Sequence, residues 1–191
     1  MPPIRRSENT TRANMQFRST GLRDVRLIDL EPAGDERGFF ARTFCADEFA
    51  AEKLETVFVQ HSVSHTVRAG SIRGMHYQRA PHEEAKLVRC LAGHVHDVLI
   101  DLRPFSPTYL QWEAYELSAR NRRQLYVPSG FAHGFQTLEP GTDVDYMMTA
   151  FYAPEAADGV RYDDPAFKIA WPLPVTEISA RDRNWPDFAA K

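Results

Sequence analysis

Three stretches of the chain hold side chains that could do chemistry: "IRGMHYQ" (72–78), "VPSGFAHGF" (127–135) and "VDYMMTAFY" (144–152). In the first, strand alternation places His76 on one face with Ile72, Gly74 and Gln78. A lone histidine on an apolar face is more often a hydrogen-bonded core residue than a catalyst. Gly74 shifts the balance, because a glycine inside a strand often marks close approach by a ligand. The lysine and arginine of "AKLVRC" (85–90) are equally out of place among core residues. A buried polar group without a partner costs kilocalories, so such side chains belong to a solvated edge or to the wall of a cavity.

In the second stretch, Pro128 and Gly130 frame a turn that leads to His133. The spacing P-x-G-x-x-H resembles the second motif of the cupin superfamily of small β-barrels. Cupins commonly hold a metal with an H-x-H pair and a glutamate in their first motif. The only H-x-H here is His94/His96, and a metal needs three or four convergent ligands. The reading is therefore a cupin-like barrel without a metal.

The elements that must position these residues are short. Apolar runs at 25–30, 38–44, 56–65, 85–91, 94–102, 110–117, 122–128, 134–138 and 144–152 are broken by Gly, Pro and Asp, as in an all-β sandwich or barrel. One helix is expected at 45–55, with short ones near 154–158 and at the C-terminus. A two-residue hairpin loop at Ala92-Gly93 would put Lys86, Val88, Cys90, Val95, Asp97 and Leu99 on one face. His94 and His96 would then point the other way. Lys86 and Asp97 would share an otherwise apolar face, either as a buried ion pair positioning an ammonium or as a pair at the rim of a sheet.

With 191 residues, 43% hydrophobic and 26% charged, the chain suits one soluble domain. A net charge of −3 and the lack of a basic block argue against a nucleic-acid partner. No apolar run is long enough for a membrane span. Cys45 and Cys90 read as reduced thiols of a cytoplasmic protein. Residues 1–20 are polar and arginine-rich and read as a flexible arm ahead of a single domain over 21–191.

A more specific resemblance covers residues from about 22 to 188. "GDERGFF" (34–40), "IRGMHYQ", "KLVRC" (86–90), "DLRPFSPTY" (101–109), "LSARNRRQLYVPSGFAHGF" (117–135) and "SARD" (179–182) occur in the order and spacing of the dTDP-4-dehydrorhamnose 3,5-epimerases. The resemblance implies an all-β, cupin-like jelly-roll barrel with a few short flanking helices. It implies a homodimer that needs no metal or cofactor and acts on a nucleotide-linked 4-keto-6-deoxyhexose. By the same resemblance His76 is the base, Asp182 its orienting carboxylate, Tyr146 the acid on the opposite face and Lys86 the group stabilising the enolate. His133 would lie beside the sugar, and Arg37, Gln60, Arg73, Asp158 and Arg181 would contact the nucleotide diphosphate-sugar.

The chemistry explains these residue types. Removing a proton α to a ketone takes a base that is neutral near pH 7, and a carboxylate-oriented histidine is one. The enolate oxygen needs a preorganised positive donor. Inversion needs a proton returned from the other face. The sequence departs from the family's usual residues at Arg42 (usually Glu), Ser62 (usually Asn) and Phe151 (usually Tyr). Three alternatives stand beside the 3,5-epimerase: a single-carbon epimerase on a dTDP-, CDP- or GDP-linked keto sugar, a non-catalytic sugar-binding cupin, and a metal-dependent cupin oxygenase.

Overall fold

The computed structural model describes residues 15–189. In chain order its strands begin with β1 (Met15–Ser19), β2 (Arg26–Leu30), β3 (Ala33–Asp35) and β4 (Gly38–Phe40), followed by helix α1 (Ala46–Ala51). Next come β5 (Gln60–Thr66), β6 (Ser71–Gln78), β7 (Lys86–Ala92), β8 (His94–Asp101) and β9 (Trp112–Ser118). The chain continues with β10 (Gln124–Val127), β11 (Phe131–Thr137), β12 (Thr142–Met148) and β13 (Ala157–Gly159). It closes with β14 (Glu177–Ile178) and the single turn α2 (Ala180–Arg183).

Two sheets carry the molecule. One runs β1-β2-β10-β7-β12-β5; the other runs β13-β6-β11-β8-β9, with β14 also paired to β6. The sheets pack face to face as an all-β jelly roll, and β3 and β4 form a separate exposed hairpin. Val88, Cys90, Leu125, Val127 and Val144 of the first sheet meet Val95, Leu99, Leu117, Phe131 and Phe135 of the second in a central core. The outer face of the first sheet is covered in part by Phe49 of α1, which packs with Phe17, Phe44, Phe58 and Tyr126. The outer face of the second lies under Val160, Phe167 and Ile169. β10 and β11 are buried along their whole length and β8 over most of it, so both faces of these strands are covered and polar side chains such as Asp97, His133 and Gln136 are buried within them.

Several expectations change. Of the expected flexible arm, Met15–Ser19 is a strand paired to β2 along its length, while residues 1–14 lie outside the described residues. The 154–158 stretch is a turn leading into β13, not a helix, and the 38–44 run keeps strand form only to Phe40. The hairpin at Ala92-Gly93 does not exist: β7 pairs with β10 and β12, and β8 with β11 and β9. Gly93 (φ +76°) carries the chain from one sheet to the other, and a Cβ there would lie 2.2 Å from Thr142 Oγ1. The inward set nevertheless agrees with the hairpin reading, because both strands turn the same residues to a shared core. The expected Lys86–Asp97 pair is absent; Asp97 binds His133 and Lys86 binds Glu84.

A further change concerns β6. Strict alternation would send Arg73 and His76 to opposite faces, yet both reach the space between the sheets. β6 spends three residues from Arg73 to His76 where β11 spends two from His133 to Phe135, so a bulge resets the pleat. Gly74 (φ +134°) sits at this point because a Cβ would come 2.4 Å from Gly134 Cα. The close approach that its presence signals is by the neighbouring strand, not by a ligand.

Candidate active site

Between the sheets lies a cavity of about 850 Å³. The first sheet contributes Ser64 and Thr66 from β5, Lys86 from β7 and Tyr146 from β12; the second contributes Arg73 and His76 from β6 and His133 from β11. The segment from Thr176 to Arg183 forms one rim.

That segment reaches the cavity because β6 has an edge shared by two short strands. β13 pairs with Tyr77 and its neighbours at one end, and β14 pairs with Ser71 and Ile72 at the other. In the gap between them α2 begins, its first turn capped by the Ser179 hydroxyl, which accepts the Asp182 N–H at 3.0 Å. Asp182 then accepts the Gly74 N–H (3.3 Å) and stands 2.7 Å from His76 Nε2. Burial raises the Asp182 pKa, but hydrogen bonding and attraction to His76 and the Gly74 N–H outweigh it and hold the carboxyl below its ordinary range. With Nε2–H donating to this carboxylate, the free lone pair of His76 is on Nδ1.

On the facing sheet the Tyr146 hydroxyl lies 3.0 Å from Ser64 Oγ. Burial pushes its pKa well above the ordinary value, the Ser64 bond opposing, so the phenol keeps its proton at neutral pH. Lys86 Nζ stands 3.2 Å from Glu84. His133, 5% exposed, turns Nε2 to both oxygens of the fully buried Asp97 at 2.9 and 3.0 Å. Arg73 is steadied by Thr66 Oγ1 and the His65 carbonyl, both at 3.0 Å. Arg181 lies over the Trp185 ring.

The fold therefore collects His76, Asp182, Tyr146, Lys86, Arg73, His133 and Arg181 around one space. It leaves three expected contacts outside that wall. Arg37 is exposed on the β3–β4 hairpin and paired with Asp35. Gln60 accepts the Tyr152 N–H, and Asp158 pairs with Arg79 at 3.4 Å. Of the three departures, Arg42 pairs with Glu48, and Ser62 and Phe151 are exposed. His94 and His96 share Glu116 on the outer side of the second sheet, away from the cavity. No cluster of three or more His, Cys, Asp or Glu side chains fit to hold a metal occurs among the described residues. The sequence reading missed Ser64 and Glu84. The alternation of small hydroxyls in "SVSHT" (62–66) was the available signal for the first; an acid two residues before Lys86 was the signal for the second.

A jelly-roll barrel with a carboxylate-held histidine, a protonated tyrosine and a lysine around one polar cavity defines a class of cupin-like protein. A family model described as dTDP-4-dehydrorhamnose 3,5-epimerase matches residues 19–190. The protein of that name from Methanothermobacter thermautotrophicus is 43% identical over 176 residues, covering 91% of this chain and 94% of that one. The structure of the Bacillus anthracis dTDP-4-dehydrorhamnose 3,5-epimerase with TDP and PPi bound superposes with a TM-score of 0.89 at 39% identity, covering 92% of this chain and all of that one. A Legionella pneumophila dTDP-6-deoxy-D-glucose-3,5-epimerase in complex with dTDP-4-keto-L-rhamnose gives 0.83 at 38% identity, covering 88% and 90%. The chain belongs to the dTDP-4-dehydrorhamnose 3,5-epimerase family.

Proposed function

We propose that this protein is an epimerase that inverts C3 and C5 of dTDP-4-keto-6-deoxyglucose. The observation that carries the reading is the placement of His76–Asp182 and Tyr146 on opposite sheets of one cavity. His76 removes the proton next to the ketone with Nδ1, and Asp182 stabilises the imidazolium that results. Lys86 neutralises the charge that develops on the ketone oxygen, in a space sheltered enough for that attraction to count. Tyr146 then delivers a proton to the other face of the planar enolate. No redox step occurs; between the inversions solvent takes the proton from His76 and returns one to Tyr146, which closes the cycle and carries solvent hydrogen into the product.

Arg73 and Arg181 suit the diphosphate, and His133 the sugar, by charge and position. The exposed Phe39 and Phe40 on the β3–β4 hairpin support a homodimer that covers them, with the N-terminal strands near the interface. Arg37 rides on the same hairpin. The two cysteines are unpaired, which suits the cytoplasm. No helix among the described residues is long and apolar enough to cross a membrane.

Incubation with dTDP-4-keto-6-deoxyglucose in deuterated water, followed by NMR, tests the reading. Deuterium at both C3 and C5 with inversion supports it. Deuterium at one carbon alone replaces it with a single-carbon epimerase. No incorporation overturns it in favour of a sugar-binding barrel.

A further inference from the structure

A lysine ammonium is a point charge on a flexible four-carbon stem, and nothing in the side chain itself decides where it points. Transition-state stabilisation requires the opposite: a donor already fixed where charge will develop. Something in this fold must aim Lys86. Its ion-pair partner among the described residues is Glu84, at 3.2 Å, and both side chains are 13% exposed. In the ion pairs among the described residues no other lysine or arginine is so deeply buried.

Lys86 lines the cavity, whereas its partner Glu84 does not. It is itself anchored. Gln78, 4% exposed, reaches its second carboxylate oxygen at 3.4 Å. The Gln78 amide also donates to the His82 carbonyl (2.8 Å) and accepts the Ala153 N–H (2.7 Å). The carboxylate is thus tied to β6 and to the chain beyond β12, while the ammonium it faces opens on the cavity.

We propose that Glu84 is a positioning residue for the reaction: it holds the Lys86 ammonium at the wall of the cavity, aimed at the ketone oxygen. The inference rests on the function proposed above. Its consequence is specific. A sugar entering the cavity displaces water from Lys86, and the ammonium is left between two oxygens, one fixed by the protein and one gaining charge. Without Glu84 the stem is free to swing, and the cost falls on the enolate-forming step rather than on substrate binding.

Glu84→Gln keeps the shape of the side chain and removes its charge; Glu84→Ala removes both. Each variant should lower kcat roughly 10- to 100-fold, the scale of a misplaced catalytic group, with KM within about twofold of the parent. Deuterium incorporation from solvent at C3 and C5 should fall in parallel. In a Lys86→Ala background, Glu84→Gln should lower the residual exchange no further, because there is nothing left to aim. A purely structural role would cost the same factor in both backgrounds, and that result overturns the proposal, as does a Glu84→Gln kcat within twofold of the parent. A crystal structure of Glu84→Gln supplies a readout independent of turnover: Lys86 Nζ should leave its position, and an unmoved Nζ also overturns the proposal. A parent protein that exchanges no deuterium counts against the epimerase reading instead, and the position of Nζ still decides what Glu84 does.

Discussion

The β5–β12 ladder has two faces, and both carry polar side chains in close contact. On the inner face Ser64 meets Tyr146 at 3.0 Å and Thr66 holds Arg73. On the outer face Asp145 lies between His61 and Arg89, 2.7 Å from each, and His65 stands 2.6 Å from Asp143. All seven histidines of the chain have a carboxylate within 4 Å, and the His61–Asp145 distance equals that of His76–Asp182. A histidine–carboxylate contact therefore does not make a base. What distinguishes His76 is the company across the cavity: a phenol held neutral, an ammonium and room for a sugar. His61 and His65 face outward, more than half exposed, and do not line the cavity.

The sharpest way to break this comparison is to remove one histidine from each side. His76→Ala should lose proton exchange at both carbons by roughly 10²–10⁴, the usual scale for a general base, while the fold persists. His61→Ala should exchange at the parent rate. Equal losses, measured by deuterium incorporation, would mean that cavity placement is not what matters; retained exchange in a folded His76→Ala protein would move the base to His133.

A second test separates the inner-face groups. On the proposed mechanism, Tyr146→Phe removes only the returning proton from the far face. His76 should then still exchange a proton on its own side, so deuterium enters without net inversion at the carbon that depends on the tyrosine. On the same mechanism Lys86→Ala should destabilise the enolate that both outcomes share and suppress exchange and inversion together. Normal inversion of both carbons by Tyr146→Phe would place the acid elsewhere.

The smallest expected effects are on stability. Asp182, whose carboxyl is held below its ordinary range in the folded state, contributes stability that is present above about pH 4 and lost as pH falls through the lowered value. Asp182→Asn should therefore narrow its stability gap to the parent as urea melts move from pH 6 to pH 3. On the outer face, Asp145→Asn removes the charge and leaves one acceptor oxygen where Arg89 and His61 now have two, and it should cost about 1–3 kcal/mol at pH 7 with kcat within twofold. A large loss of turnover from Asp145→Asn would mean that the two faces are coupled.

Much of this was legible in the residue order. Strand positions followed from short apolar runs bounded by turn residues, because a sheet buried on a core selects side chains two by two. The inward set Val88, Cys90, Val95 and Leu99 was read from alternation combined with a hairpin at Ala92-Gly93, and it holds although that hairpin does not form. Ordered motifs from "GDERGFF" to "SARD" marked His76, Lys86, Tyr146 and Asp182, which are up to 106 residues apart and meet at one cavity.

Tertiary structure alone decided the pairings. Local sequence cannot say whether a turn such as Ala92-Gly93 folds a strand back beside its neighbour or sends it to the opposite sheet, because that depends on which distant strands take the two edges. For the same reason Lys86 and Asp97, expected partners, each found another: Glu84 at the mouth of β7 and His133 on β11. The bulge that turns Arg73 and His76 to the same side exists because β6 must match a shorter span of β11, a constraint set by a strand more than fifty residues away. Residue types and their period come from the chain's own chemistry, whereas the partner of each buried charge comes from how distant segments share limited space.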